Sequence, residues 1–258
     1  MRLKVAWATD PGLERKDNED AVIVTKNKAG VEALMIVCDG MGGHAAGQTA
    51  SSIASKTVVD QLLDDGDKGP DPDRLKKACK RANTAVFEAA RDNPAWAGMG
   101  STMTVAAVDN DQVALLNVGD SPAYLFRNGE WTLISQDHSW PAEQVRLGVI
   151  KPEEAANHPL KHRLTRAIGV WEQIQSYTAK LDLADGDAIV ICSDGVETAG
   201  VSVEEMAKLI FKGREFDEGP QRVIDRCKEL GAPDNITVAV LSVEPDARKT
   251  VALSTLKR

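Results

Sequence analysis

The chain has 258 residues, 43% of them hydrophobic, enough to enclose a large core in one unit of mixed or all-β type. Its 39 acidic residues outnumber 31 basic ones, and the formal charge of -8 argues against a nucleic-acid backbone or an anionic membrane surface as main partner. No apolar run reaches the length of a membrane span, and the start MRLKVAWATD lacks the apolar stretch of a secretion signal. Cys38, Cys79, Cys192 and Cys227 have neither zinc nor redox spacing, so buried free thiols in a reducing, cytoplasmic setting are expected.

Apolar residues alternate or run at strand length over 3–9 and 21–25, and again over 31–38 after the turn-forming residues 27–30. The period then changes: Ala50, Ile53, Thr57, Val58 and Leu62 fall on one face of a helix over 46–63. The segment 64–73, DDGDKGPDPD, stops that helix; it lacks the register of an EF-hand calcium loop and reads as a solvated connection. A second helix over 74–91 gathers Leu75, Ala78, Cys79, Ala82, Val86 and Ala89, and Asn93-Pro94 ends it. Strands follow over 101–108 and 112–118 about the turn Asp109-Asn110-Asp111. A further pair over 123–127 and 131–134 flanks Asn128-Gly129, two residues that tolerate the positive φ of a type I′ hairpin turn.

The stretch 140–165 contains Gly148, Pro152, His158, Pro159 and His162 and has weak periodicity, so a loop or short-helix excursion over one edge is expected. Strands are expected again over 174–179 and 188–192, helices over 203–211 and 220–230, and a final strand over 236–242. Strand hairpins with paired helices between them predict antiparallel sheets covered by helices rather than a repeating βαβ unit. With no internal repeat and no linker-like composition, one domain over 1–258 is expected, with an excursion at about 140–165.

Three strand-like runs end in an aspartate: ALMIVC before Asp39, VALLNVG before Asp120 and AIVICS before Asp194. Glu19-Asp20 and Asp234-Asn235 stand just before two further runs. Acidic residues at five strand boundaries suggest oxygen ligands gathered at one rim of a sheet, since carboxylates packed without a cation repel one another and raise their own pKa values. Oxygen donors without a suitable His or Cys set favour Mg²⁺ or Mn²⁺. Two such ions ~4 Å apart acidify a water and orient phosphate oxygens for in-line attack. In Asp39-Gly40-Met41-Gly42-Gly43-His44 the first glycine leaves its carbonyl free to join a cation shell, and the glycine pair permits an abrupt route into the next helix. The segment is neither a Walker A loop nor a dinucleotide fingerprint.

With these residues in place the chain resembles the PP2C-type (PPM) metal-dependent serine/threonine protein phosphatases in their compact bacterial form. The segments that carry the resemblance run in family order. They are Asp10-x-Gly12-x-x-Arg15-x-x-Asn18-Glu19-Asp20, Val37-Cys38-Asp39-Gly40-Met41-Gly42-Gly43-His44, Gly100-Ser101-Thr102 and Val118-Gly119-Asp120-Ser121, followed by Asp137-His138-Ser139, Leu164-Thr165-Arg166-Ala167-Ile168-Gly169, Ser193-Asp194-Gly195 and Asp234-Asn235-Ile236-Thr237. The resemblance implies an α+β, four-layer αββα sandwich, two central mostly antiparallel sheets flanked by pairs of helices, with a metal cleft at one end.

It also implies roles. Asp39 matches the carboxylate bridging two metals; Asp194 and Asp234 complete one shell, while Glu19 and the Gly40 carbonyl serve the other. Asp20 matches a water-holding acid behind them, Asp120 with Asp194 a third metal position, and Arg15 the guanidinium that holds substrate phosphate. The implied reaction is hydrolysis of phosphoserine and phosphothreonine on proteins by a metal-bridged hydroxide attacking in line, with two Mn²⁺ or Mg²⁺ ions and a third position. Implied partners are phosphoproteins and the serine/threonine kinases that act on them, with neither nucleic acid nor membrane, in a monomer.

Two departures stand out. Met41 occupies the place of a histidine in eukaryotic relatives and cannot donate a proton to the leaving group, which leaves His44 as an auxiliary candidate and metal-bound water as the preferred donor. Pro122 stands where relatives commonly have arginine. His138, His158 and His162 are expected to serve hydrogen bonds and surface contacts, and Trp140 and Trp171 to anchor the excursion or face a peptide. The competing readings are a catalytically silent phosphoprotein-binding module and a two-metal nuclease or hydrolase of small phosphoesters.

Overall fold

The computed structural model describes residues 2–28, 31–43, 45–64, 69–155, 158–213 and 215–244. In chain order the elements are β1 (Arg2–Asp10), β2 (Asp20–Lys28), β3 (Val31–Met41), α1 (Ala45–Asp64), α2 (Pro72–Asp92), β4 (Gly100–Ser101), β5 (Met103–Asp109), β6 (Gln112–Val118), β7 (Ala123–Arg127) and β8 (Glu130–Leu133). They continue with α3 (Trp140–Arg146), α4 (Pro152–Ala155), β9 (Tyr177–Asp182), β10 (Ala188–Cys192), α5 (Gly195–Thr198), α6 (Val203–Ile210), α7 (Gly219–Glu229) and β11 (Ile236–Glu244).

The strands form two antiparallel sheets, one ordered β1-β11-β10-β7-β8 and the other β2-β3-β5-β6-β9, with β4 pairing β3 beside the main path. The pleat explains the layering, because alternate residues of one strand face opposite sides. On β3, Leu34, Ile36 and Cys38 pack against α1 and α2, whereas Ala33, Met35 and Val37 meet Ile189, Ile191, Ala239 and Leu241 of the other sheet. The outer face of that second sheet, through Val190, Cys192, Val238 and Val240, packs on Met206, Ile210, Val223 and Ile224 of α6 and α7. Three apolar layers between four layers of backbone make the αββα sandwich expected from the sequence. The four cysteines are buried free thiols.

Local sequence sets the boundaries. Asp71 caps α2 by accepting from Asp73 N, Pro72 sits in its first turn, and Asn93 closes it with its N–H on Ala89 O. Asn128 and Gly129 have φ of 55° and 86°, as a type I′ turn between β7 and β8 requires. Two expectations shift. The strand expected over 174–179 lies at Tyr177–Asp182, because Ile174 packs with the α1 and α2 layer instead of entering the ladder. Asp39 does not terminate its strand: β3 continues through Met41, because Gly40 and Met41 pair with Ser101 and Gly100 of β4.

Candidate active site

Five acidic residues are delivered to one end of the sandwich by different means. Glu19 immediately precedes β2 and Asp39 lies inside β3; Asp120 and Asp194 follow β6 and β10 by two residues, and Asp234 precedes β11 by two. All five line a single cavity of about 780 Å³ together with Arg15 and Gly40. Both sheets therefore contribute to the cleft, which sequence alone did not prove.

Asp20 is placed differently. Its backbone is opposite Asp39 in the β2–β3 register, and its carboxylate is buried behind the cavity. Oδ2 accepts from Ser193 Oγ at 2.8 Å and Thr237 Oγ1 at 2.6 Å, while Oδ1 is buried with no hydrogen-bond partner. Thr237 Oγ1 is 2.7 Å from Thr9 Oγ1, which accepts from Asn18 Nδ2 at 2.8 Å, so one polar chain crosses three strands beneath the site. His44 lies outside the described residues.

The frame around these carboxylates is made of backbone contacts. Asn235 accepts from Glu19 N at 2.8 Å and donates through Nδ2 to Pro11 O and Asp17 O, both at 2.9 Å, which staples Glu19 and the 11–17 loop to the start of β11. That loop carries Arg15, and Leu13 N bonds Ala232 O at 2.9 Å. Gly12, at φ +80°, lies against the Asp234 carbonyl where no Cβ fits. Asp39 is held on both sides, its N–H on Thr102 Oγ1 at 2.9 Å and its carbonyl accepting from Thr102 N at 2.8 Å. Gly47 in α1 is a second close approach: a Cβ there would strike the Glu19 carboxylate. Asn235, Thr102 and Gly47 were not given roles from sequence. The signal was present for Gly47, a glycine inside a helical pattern that disfavours it.

The crowding shifts the acids in one direction. Burial first, then the charges of Asp20, Asp194, Asp120 and Asp234, push Asp39 well above the usual carboxylate range. Asp120 is pushed up to about 8 by burial and by Asp194 and Asp137. Asp20 is raised to about 7 by burial, although the hydroxyls of Thr237 and Ser193 pull it down. Asp194 is raised by burial and Asp234, against the pull of His162, whose Nδ1 is 3.9 Å from Asp194 Oδ2.

Among the described residues no three acidic, histidine or cysteine side chains close on one point tightly enough to hold an ion as they stand. One is turned to a protein partner: Asp234 Oδ2 accepts from Arg15 Nη2 at 3.0 Å. The donor set nevertheless fits hard divalent cations. It is oxygen-only and rigidly framed, and its buried acids are raised by burial and then by mutual repulsion, both of which added positive charge would offset.

Of the other singled-out residues, Trp140 stacks on His158 with ring centroids 4.8 Å apart, and His138 is buried with Nδ1 accepting from Gly119 N at 3.1 Å. His162 and Trp171 both line the cleft. Pro122 lines a separate cavity of about 350 Å³ with Tyr124, Cys192 and Met206.

The sequence profile of the protein phosphatase 2C family matches residues 14–224. The chain is similar to the serine/threonine phosphatase stp of Listeria monocytogenes, 35% identical over 243 residues that cover 93% of this chain and 95% of that protein. Among solved structures, the S. agalactiae serine/threonine phosphatase superposes with a TM-score of 0.87 at 32% identity, covering 94% of this chain and all of the other. The catalytic domain of the phosphatase PstP, in complex with two manganese ions, superposes with a TM-score of 0.80 at 32% identity, over 94% of this chain and 99% of that one.

Proposed function

The chain belongs to the protein phosphatase 2C family, and from that premise we propose how its own residues carry out the reaction. It is a metal-dependent serine/threonine protein phosphatase. The observation that carries the residue assignment is the convergence of Glu19, Asp39, Asp120, Asp194 and Asp234 with Arg15 on one cavity.

Asp39 would be shared by two Mn²⁺ or Mg²⁺ ions, with Asp194 and Asp234 holding one, Glu19 and the Gly40 carbonyl the other, and Asp120 with Asp194 offering a third, weaker position. The buried position of Asp20 beneath Asp39, with one oxygen unpartnered, supports a role in holding water behind the pair. When bound, the cations acidify a water and offset the charge of the phosphate oxygens. Arg15 turns from Asp234 to the substrate and grips two phosphate oxygens with its planar fork. The water oxygen bonds phosphorus as the ester P–O bond breaks, and the proton the attacking water gives up balances the one the departing alkoxide takes to leave as serine or threonine. Met41 cannot supply that proton, because a thioether carries none.

The excursion at about 140–165 acts as a flap beside the cleft, a reading supported by His162, Arg163 and Leu164 among the cavity residues. One domain spanning 1–258 and a monomeric enzyme acting against serine/threonine kinases complete the proposal. The net charge of -8 supports partners other than nucleic acid. No described helix is long and apolar enough to cross a membrane, and the free thiols support a cytoplasmic location.

The test is phosphate release from phosphoserine, phosphothreonine and phosphotyrosine peptides with Mn²⁺, Mg²⁺ or chelator. Metal-dependent release, greatest for phosphoserine or phosphothreonine, is expected. Undiminished release after exhaustive chelation would overturn the mechanism.

A further inference from the structure

Part of the cleft has no task in the chemistry above. Met41, Val170 and Trp171 line the same cavity as Arg15 and the carboxylates, yet bring neither charge nor a cation ligand. They form a continuous apolar shelf: the Met41 Cε and Val170 Cγ2 atoms both lie over Gly100, in the space its missing Cβ would take, and Trp171 follows Val170 directly.

The backbone beneath this shelf is tied down at every step. Asn83, a residue of α2 only 1% exposed, accepts from Gly169 N at 2.8 Å and donates to Trp171 O at 2.9 Å and Glu172 O at 3.1 Å. Gly169 adopts φ +83° against the Val86 side chain, where no Cβ would fit. One residue earlier, Ile168 exchanges both backbone hydrogen bonds with Ser101, at 3.0 and 2.8 Å, and the strand holding Ser101 pairs with Gly40 and Met41. The shelf is thereby fixed to the same backbone that carries Asp39.

Trp171 nevertheless remains 46% exposed. A half-exposed indole on a backbone fixed in this way, at the mouth of a cavity, is contact area that gains binding energy without the ordering cost of a mobile loop. The cavity of about 780 Å³ is of a size that takes a whole ligand rather than one phosphoryl group, so residues beside the phosphoester enter it too.

We propose that the Met41–Val170–Trp171 shelf receives an apolar side chain flanking the phosphorylated residue, so that this enzyme selects phosphoproteins with a hydrophobic neighbour beside the phosphoserine or phosphothreonine. The proposal rests on the protein-phosphatase reading above. A basic neighbour would use only the indole face, by a cation–π contact, and leave Met41 and Val170 uncovered.

The test uses the full chain with Mn²⁺ and three phosphothreonine peptides identical except for leucine, serine or lysine on both sides of the phosphothreonine. Turnover of p-nitrophenyl phosphate reports separately on the metal centre. The leucine peptide is expected to exceed the serine peptide about tenfold in kcat/KM, the size of discrimination one apolar subsite gives. Trp171→Ala is expected to bring that ratio close to one, while Trp171→Phe keeps most of it. Equal rates on the leucine and serine peptides, preference for the lysine peptide, or a leucine preference that survives Trp171→Ala would each overturn the shelf alone. Turnover of p-nitrophenyl phosphate without hydrolysis of any peptide would overturn the shelf and the protein-substrate reading together.

Discussion

Arg15 Nη2 stands 3.0 Å from Asp234 Oδ2, so the guanidinium assigned to phosphate leans on a carboxylate assigned to a cation. The two uses compete for one oxygen. Arg15→Ala should lower kcat/KM on phosphopeptides about 10- to 100-fold, the equivalent of ~1.5–3 kcal/mol for charged hydrogen bonds to phosphate. Mn²⁺ affinity, measured by titration calorimetry, should stay equal or rise, because Asp234 is released. A clear fall in affinity would mean that Arg15 supports the metal site instead.

Asp39→Asn should separate activity from stability. Phosphatase turnover is expected to drop by about a hundredfold or more with loss of the bridging charge. The chelated variant should melt at a higher temperature than chelated wild type at alkaline pH. The sign follows from linkage: acids whose folded pKa is raised stabilise the fold at low pH and lose that contribution as pH rises through the folded value. Asp20 at about 7 and Asp120 at about 8 spread the loss for chelated wild type from pH ~4, the ordinary carboxylate value, up to these raised values, so that it is complete by about pH 8. Mn²⁺ should reverse it, raising the melting temperature more at pH 8 than at pH 6 with release of protons. A variant melting below wild type in chelator would refute the repulsion argument.

His138 predicts a dependence of opposite sign. Burial, and then Arg166 and Arg146, lower its pKa to about 4, against a weaker opposing pull from Glu143. Nδ1 accepts from Gly119 N, so the neutral ring carries its proton on Nε2, which lies 3.3 Å from Gln136 Oε1 and 3.2 Å from Arg166 Nη1. Above pH ~6.5 the ring is neutral in both folded and unfolded chains; between ~6.5 and about 4 only the unfolded chain gains the proton, and stability falls with pH. The contribution is on the order of 2 kcal/mol. Urea unfolding of Mn²⁺-loaded wild type and His138→Gln across this window should show the steeper decline in wild type. Parallel declines would remove His138 from the account.

Gly47→Ala offers a test in which helix propensity and packing disagree. In an ordinary helix interior this change stabilises by ~1 kcal/mol. Here the new Cβ would meet the Glu19 carboxylate. Weaker Mn²⁺ binding and a lower melting temperature of the loaded protein are therefore expected. A melting temperature raised with metal affinity intact would show that Glu19 has room to yield.

Periodicity exposed most of the fold because α1, α2, α6 and α7 and most strands bury one continuous face. The strands at 112–118, 123–127 and 188–192 match β6, β7 and β10 as they stand. The sequence was less informative where a single partner decides: Ile174 reads as strand by residue type, yet packs with the helical layer instead. In the cleft, acidic residues at strand boundaries were visible because they interrupt apolar runs. The residues that hold them, Asn235 and Thr102, were not assigned those roles, because a buried amide or hydroxyl reveals its work only once its backbone partners are known. Asp39 looked like the end of a strand because the pairing that prolongs β3 comes from Gly100 and Ser101, about sixty residues away.

The segment between Ser139 and Leu164 brings His162 and Arg163 to the cleft, and its two end residues, Ser139 and Leu164, pair with each other. Trp140 N bonds Arg163 O at 2.7 Å and Thr165 N bonds His138 O at 2.8 Å, so departure and return are stitched side by side. An insertion with such a narrow neck can lengthen, shorten or be exchanged without moving a strand of either sheet. Changes of length or sequence between Trp140 and Arg163 are thereby mechanically separated from the strands that position Asp39 and Asp194.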